Sequence, residues 1–330
     1  MHRRDFIKSG LLATGMIAGG LGLTGCGRFF SQQSSGTGKP TLKIGYLPIT
    51  DHLTMITHGQ TQYSRLNLEP VKFSNWAELS EALKNNAVHG AFALTPIGMT
   101  LRQKGVALKA VFLGHRNGSV VTIKSSPELN SPADLKGKTI AIPSRFSTHN
   151  ILIQKYLSDN GIQDTDVKFV DMAPPEMVNA LSVGKIEGFI VAEPFGGQAE
   201  LQKIGKVLIL SKDIWHDHIC CVLNIQESVI KEHPESVEEL VGSLAKAAAF
   251  IDQNPGEAAK LSVKYLGQKT EVIEHVLTQP KGRITFNDLI PQLKDFNATQ
   301  DYMLKFGIAK ESIDVAQYID DRFARKAYGV

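Results

Sequence analysis

The sequence contains an echo of itself. Residues 77–98, AELSEALKNNAVHGAFALTPIG, and residues 175–196, PEMVNALSVGKIEGFIVAEPFG, align without a gap at a constant offset of 98. Glu78 falls over Glu176, Ala82 over Ala180, Leu83 over Leu181, Gly90 over Gly188, Pro96 over Pro194 and Gly98 over Gly196. Apolar residues at helical spacing, then a turn, a short apolar run and a Pro-Gly exit spell one helix–strand unit used twice. A chain that repeats such a unit is committed to two similar α/β substructures.

The flanks extend the repeat. TLKIGYLPI and LEPVKFS precede the first copy, GKTIAIPS and DVKFVDM the second, and VALKAVFLG and GKVLILS follow them. Each half reads strand, helix, strand, helix, strand, which favours a mostly parallel sheet with helices on both faces. Between the halves, NGSVVTIKSS (117–126) and HICCVLNIQES (218–228) are apolar stretches able to pass from one lobe to the other. They predict that the chain leaves the first lobe near Val120–Ile123 and returns near Cys221–Leu223, and two crossings make a hinge. Lobe 1 then comprises residues 41–122 and 223–330, and lobe 2 residues 123–222. The last segments are helical by period and caps and are expected to pad lobe 1. At 330 residues, with 42% hydrophobic and 21% charged side chains, the chain can bury two such cores.

The first 25 residues carry a basic head, Arg3, Arg4 and Lys8, and an apolar run from Leu11 to Leu23, short for a bilayer span of about 20 residues. They read as a signal peptide. RRDFIK resembles a twin-arginine export motif and LTGC a lipobox, in which cleavage exposes the cysteine for acylation. Cys26 would then anchor the protein to the bacterial membrane from outside, in the periplasm or on the outer face. Residues 26–40 would serve as a polar, flexible tether. Removing residues 1–25 takes away three basic and one acidic side chain, so the formal charge falls from +3 to +1. That near-neutral body, without a long basic run, argues against a nucleic-acid partner.

In open α/β sheets ligands sit beyond the carboxyl ends of strands, where helices present unpaired N–H groups. IPSRFSTHN (142–150) is such a corner, with a helix expected to start at Ser147 or Thr148 and end at Asn160-Gly161. One hydroxyl suffices for a cap. The surplus assigns Ser144, Thr148 and His149 to a ligand. The matching corner, GYLPITDHLTM, offers Thr50, Asp51 and His52, with Asp51 either capping a helix or holding a protonated part of a ligand. Trp76 begins the helix of SNWAEL, as a core residue or a stacking face. Thr95 and Glu193 stand at the two strand exits, and Asn117 with Arg116 where the chain first crosses. Glu193 and Arg116 are read either as ligand contacts or as hinge-crossing ion pairs. WHDHICC sets His216, His218 and Cys220 in alternation but lacks the paired spacing of a zinc site, so no metal and no cofactor is assigned. No nucleophile elbow, phosphate loop, dinucleotide fingerprint or H-E-x-x-H occurs, so the chain reads as a binder and not an enzyme.

A lipobox, a tether, twin α/β lobes, two crossings and extra C-terminal helices together resemble the substrate-binding proteins of bacterial ABC importers. Within them, GYLPITDH, SNWAEL, GAFALTPIGM, STHN, MAPPEMVNAL, GKIEGFIVAEPFG and DIWHDHICCVL are similar to the nitrate/sulfonate/bicarbonate (taurine) group over residues 40–235. The resemblance implies a type II periplasmic-binding fold. It implies a monomer that captures a small molecule, an anion, between two lobes and delivers it to a permease with its ATPase. It also implies that Trp76 and His149 touch that anion. Where nitrate binders of the group are expected to offer a lysine, this chain has Ile219-Cys220-Cys221, so a sulfonate, another oxyanion or a neutral ring compound stays open. The alternatives are a binder of a pyrimidine (thiamine-precursor) compound and, from another class, a pyrimidine-precursor synthase-like enzyme with clustered cysteines.

Overall fold

A computed structural model describes residues 38–330; the export signal, Cys26 and the tether up to residue 37 lie outside them. The strands are β1 (Thr41–Tyr46), β2 (Asn67–Lys72), β3 (Gly90–Leu94), β4 (Leu108–Leu113), β5 (Arg116–Asn117), β6 (Ser119–Lys124), β7 (Thr139–Ile142), β8 (Lys168–Asp171), β9 (Gly188–Ala192), β10 (Gly205–Leu210), β11 (Cys221–Gln226) and β12 (Ile284–Thr285). They form two five-stranded sheets of the same plan, β2-β1-β3-β11-β4 and β8-β7-β9-β6-β10, and a small ribbon of β5 with β12. In each large sheet the first three strands are parallel and the fourth is reversed. The strands β3 and β9 are buried along their whole length, which is why both read as unbroken apolar runs.

The echo maps onto this plan. Helix Trp76–Lys84 leads into β3 and helix Pro174–Ser182 into β9. In the first, the Asn75 side chain accepts the Glu78 N–H; in the second, prolines fill the first turn, where no N–H partner is needed. Gly90 and Gly188 open the two strands because the reversed neighbour comes close. A Cβ on Gly90 would lie 2.5 Å from the Asn224 carbonyl oxygen, and one on Gly188 would lie 2.8 Å from that of Thr122.

The crossings fall elsewhere than expected. Both apolar stretches are sheet strands: β6 is the reversed strand of the second sheet and β11 that of the first. The chain therefore crosses at residues 115–118, where β5 pairs with β12, and returns at 215–220, where Ile219 bridges Arg116. A central strand buried on both faces is as apolar as a buried connection, so hydrophobicity alone did not separate them. The C-terminal helices also depart from expectation in one element. Pro234–Gln253 and Pro255–Leu266 pack on residues 50–56, and Arg322–Tyr328 packs on β4, all beside the first sheet. Helix Thr270–Thr278, however, lies on helix Phe195–Leu201 of the second half, with Val276 against Gly197. Among the described residues no helix is long and apolar enough to cross a membrane.

Candidate functional site

The two corners named from the sequence meet. After β1 the chain turns into the 3-10 segment Thr50–Ile56, and after β7 into helix Thr148–Asp159. Ser147 caps that helix, its hydroxyl accepting the Asn150 N–H at 3.0 Å. The Thr50 N–H and hydroxyl both donate to the Glu193 carbonyl, at 2.7 and 3.1 Å. The Cys220 carbonyl accepts the Thr95 N–H at 2.8 Å and hydroxyl at 3.0 Å, and the Thr148 hydroxyl at 3.4 Å. Three threonines assigned to a ligand are thus fully buried and spend their hydroxyls on main-chain carbonyls. They join segments to one another.

Glu193 and Asn117 are likewise engaged. Glu193 accepts from Arg283 Nε at 2.7 Å and from the Gly197 N–H at 3.0 Å, so its ion-pair reading describes it and the ligand reading does not. Asn117 accepts the Asp217 N–H at 2.9 Å. Arg116 is buried between Asp217, Asp288 and Asp295, the last at 2.9 Å. Asp51 does not cap the segment it begins; one oxygen accepts the Cys221 N–H at 3.1 Å. His52 accepts the Leu47 N–H at 2.8 Å and lies edge-on to Trp76.

Around Asp51 a solvent-free cluster forms from His115, Ser119, His149, His218, Cys220 and Cys221. His115 Nε2 stands 3.2 Å from Asp51 Oδ2, but not in line for a hydrogen bond, so that oxygen has no hydrogen-bond partner. His149 Nε2 is 3.1 Å from the Ser119 hydroxyl and 3.8 Å from Cys220 Sγ. Burial works against the Asp51 charge, yet His115 first, then His52 and His149, hold its carboxyl well below the usual range. Burial pushes His149 and His52 down to about 4 and His218 to about 3, so these imidazoles are neutral at pH 7. It pushes Cys220 up to about 11 and Cys221 well above its ordinary value. His216 is exposed, because the segment before Cys221 is irregular and the expected alternation on one strand face does not form.

Beside this cluster opens a cleft of about 500 Å³. One wall is helix Trp76–Lys84 with Ile97 and Leu101 of helix Thr95–Gln103; the other is Pro143, Ser144 and Phe146 after β7 and Met172 and Ala173 after β8. The walls are largely apolar, with Glu81, Lys84, Lys104 and Asp171 among the lining residues. Trp76 is buried in the wall, and its Nε1–H has no hydrogen-bond partner. Of the residues assigned from sequence, Trp76 and Ser144 line the cleft. Thr50, Asp51, His52, Thr95, Thr148 and His149 lie in or around the cluster. Sequence reasoning passed over Lys84 and Lys104, which carry no motif, Phe146, which sits inside IPSRFSTHN, and His115 and Ser119, which flank the crossing residues Arg116 and Asn117.

The geometry has known counterparts. A zinc-bound ligand-binding component of an ABC-type import system from Staphylococcus aureus superposes with a TM-score of 0.80 at 26% identity, covering 88% of this chain and 99% of that one. The nitrate/nitrite binding protein NrtA of Nostoc is 25% identical over 277 residues, 74% of this chain and 62% of its own. The nitrate import ATP-binding protein NrtC of Synechocystis is 27% identical over 277 residues, 74% of this chain and 41% of its own. The chain thus spans less than two thirds of the length of either curated relative. The mixed α/β architecture is that of the periplasmic binding proteins. With residues 35–266 matching its model, the chain belongs to the NMT1-like family.

Proposed function

We propose that this chain is the extracytoplasmic solute-binding component of an ABC-type importer. It takes a small anion into the cleft between its two sheets and hands it to a permease with its ATPase. The observation that carries the reading is the cleft itself. Its walls come from both sheets, at the carboxyl ends of β2, β7 and β8 and on the helix that follows β3, where open α/β sheets hold ligands. Lys104 offers a cation and Lys84 a second one shared with Glu81 at 3.4 Å, Trp76 offers a spare donor, and the apolar walls suit an organic sulfonate of the taurine type better than bare nitrate or bicarbonate. The sheets act as two lobes that turn about residues 115–118 and 215–220, and a ligand touching both favours the closed form. Export and a lipid on Cys26, with residues 27–40 as tether, would keep this monomeric receptor beside its membrane partner.

Trp76 and Phe146 in one cleft also suit a flat ring, which supports the second reading, a pyrimidine-type compound. Thermal melting against taurine, an alkanesulfonate, nitrate, bicarbonate and a pyrimidine tests both. A true ligand at 100 times its Kd adds about 2.7 kcal/mol. Loss of that shift in Trp76→Ala or Lys84→Ala places the ligand in the cleft. A panel without effect, or a shift indifferent to both substitutions, removes the reading.

A further inference from the structure

The cluster around Asp51 shares no side chain with those that line the cleft. Its chemistry is also the opposite of an anion site. Two thiols, a carboxylate and several imidazoles face one another, while the nearby Arg116 and Arg283 are spent on carboxylates. Several of its polar atoms are buried without a partner: Asp51 Oδ2, His115 Nδ1, His149 Nδ1 and His218 Nε2. Each such atom destabilises the fold if left empty-handed. Buried polar atoms without a partner in the chain call for one from a group outside it.

The spacing says which group. One oxygen of Asp51 and the sulfurs of Cys220 and Cys221 all lie within 4.8 Å of one another. His149 Nε2 is 3.8 Å from Cys220 Sγ, and His115 Nε2 is 3.2 Å from Asp51 Oδ2. With bonds of about 2.0 Å to nitrogen or oxygen and 2.3 Å to sulfur, neighbouring ligands of a tetrahedral zinc ion stand roughly 3.3–3.8 Å apart. Neighbouring residues of a strand point to opposite faces, but Cys220 precedes β11, which lets both thiols reach Asp51.

We propose that Asp51, Cys220 and Cys221 bind one borderline-soft divalent cation of the zinc class, with His149 beside the Cys220 sulfur and His115 beside the Asp51 carboxylate as the partners that orient these ligands. Each thiol that becomes a ligand gives its proton to solvent, so uptake of one cation by both cysteines releases two protons. The ligands come from the first corner and the return crossing, and the second corner touches them through His149.

The test uses the reduced, chelator-stripped full chain, titrated with Zn²⁺ against a chromophoric chelator and with Co²⁺ as a coloured probe. The expected result is one Zn²⁺ per chain and a cobalt spectrum with a thiolate charge-transfer band. Both should persist in Cys26→Ser, disappear in Cys220→Ser/Cys221→Ser, and weaken about tenfold or more in His149→Gln. Should the double variant fail to fold by circular dichroism, the cobalt band and its response to His149→Gln decide alone. Binding that needs Cys26, a cobalt spectrum without thiolate, no binding at all, or a Cys220–Cys221 disulfide that returns after reduction and excludes metal overturns the proposal.

Discussion

Residues 50–52 and 148–150 occupy the same place in the repeat, 98 positions apart, and they have diverged in an instructive way. The first corner is Thr50-Asp51-His52 at the head of a 3-10 segment without a side-chain cap; the second is Thr148-His149-Asn150 at the head of a 12-residue helix capped by Ser147. The threonine is the same in both, and in both its hydroxyl closes on a main-chain carbonyl of a distant segment. The next residue is an acid in one copy and an imidazole in the other, and both enter one buried cluster. Duplication kept the scaffold atom. Divergence of the neighbour produced complementary chemistry at a shared centre.

The exits from β3 and β9 give the comparison its sharpest test. Thr95 and Glu193 are also 98 positions apart, yet Thr95 makes neutral hydrogen bonds while Glu193 is a buried carboxylate matched to Arg283. Removing one partner of a buried pair strands the other's charge, which costs about 3–5 kcal/mol. Losing a neutral hydrogen bond costs about 1. Arg283→Ala should therefore destabilise by about 3–5 kcal/mol in urea unfolding, and Thr95→Val by about 1. Equal losses would mean that solvent reaches Glu193 and Glu200 once Arg283 is gone and takes over the compensation.

Much of this was legible in the sequence and some could not have been. The repeat gave the helix starts at Trp76 and Thr148, the C-cap at Asn160 and the common plan of the sheets, because periodicity and caps are local signals. The partner of Glu193 lies 90 residues away at Arg283, in a segment without a motif, and no local rule selects it. Apolar character marked residues 119–124 and 221–226 but could not say whether they were strands or crossings. His216, His218 and Cys220 were spaced for one strand face, yet β11 starts only at Cys221. Period tells which face a residue takes, not where the strand begins.

The paired glycines offer a smaller contrast. A Cβ at Gly90 would press on the Asn224 carbonyl and the Ile225 side chain, one at Gly188 on the Thr122 carbonyl and Ile140. Overpacking of this kind costs about 1–3 kcal/mol. Gly90→Ala should lie toward the upper end and Gly188→Ala toward the lower, read as a drop in urea midpoint at constant slope. The reverse order would show that the first sheet relaxes more readily than the second.

The corners should also differ in pH. His149 sits at about 4, against its ordinary 6.5, because burial opposes its charge and Asp51 offsets that only in part, with His115 adding to the depression. Between those values the unfolded chain binds a proton that the fold refuses, so stability falls as pH drops from 6.5 to 4. The slope from one such group is at most about 1.4 kcal/mol per unit. The depressed Asp51 acts elsewhere: its contribution is present above its ordinary 3.8 and is lost only as pH falls below that. In chelator, His149→Asn should lower the slope of the stability profile between pH 4 and 6.5 by at most that one-group amount, leaving the share of His52 and His218, while Asp51→Asn should alter the profile below 4. A single shared window would show that the pair titrates as one unit.

The caps give the smallest effect and the most direct comparison. Ser147 holds the Asn150 N–H at the head of helix Thr148–Asp159, while Ile49, in the equivalent place before Thr50, holds nothing. Losing a serine cap costs about 1 kcal/mol. Ser147→Ala should therefore cost about that much, and Ile49→Val, which keeps most of the buried volume, should cost about 1 by lost methylene contact alone. The two are distinguished by hydrogen exchange. Ser147→Ala should speed exchange of the Asn150 amide selectively, because that proton loses its acceptor. Ile49→Val should leave the Asp51 and His52 amides unchanged relative to the rest of their segment. If Ser147→Ala leaves Asn150 protected, the second corner is held by packing and the Thr148 contact, as the first is by Thr50, and the two differ in sequence but not in what fixes them.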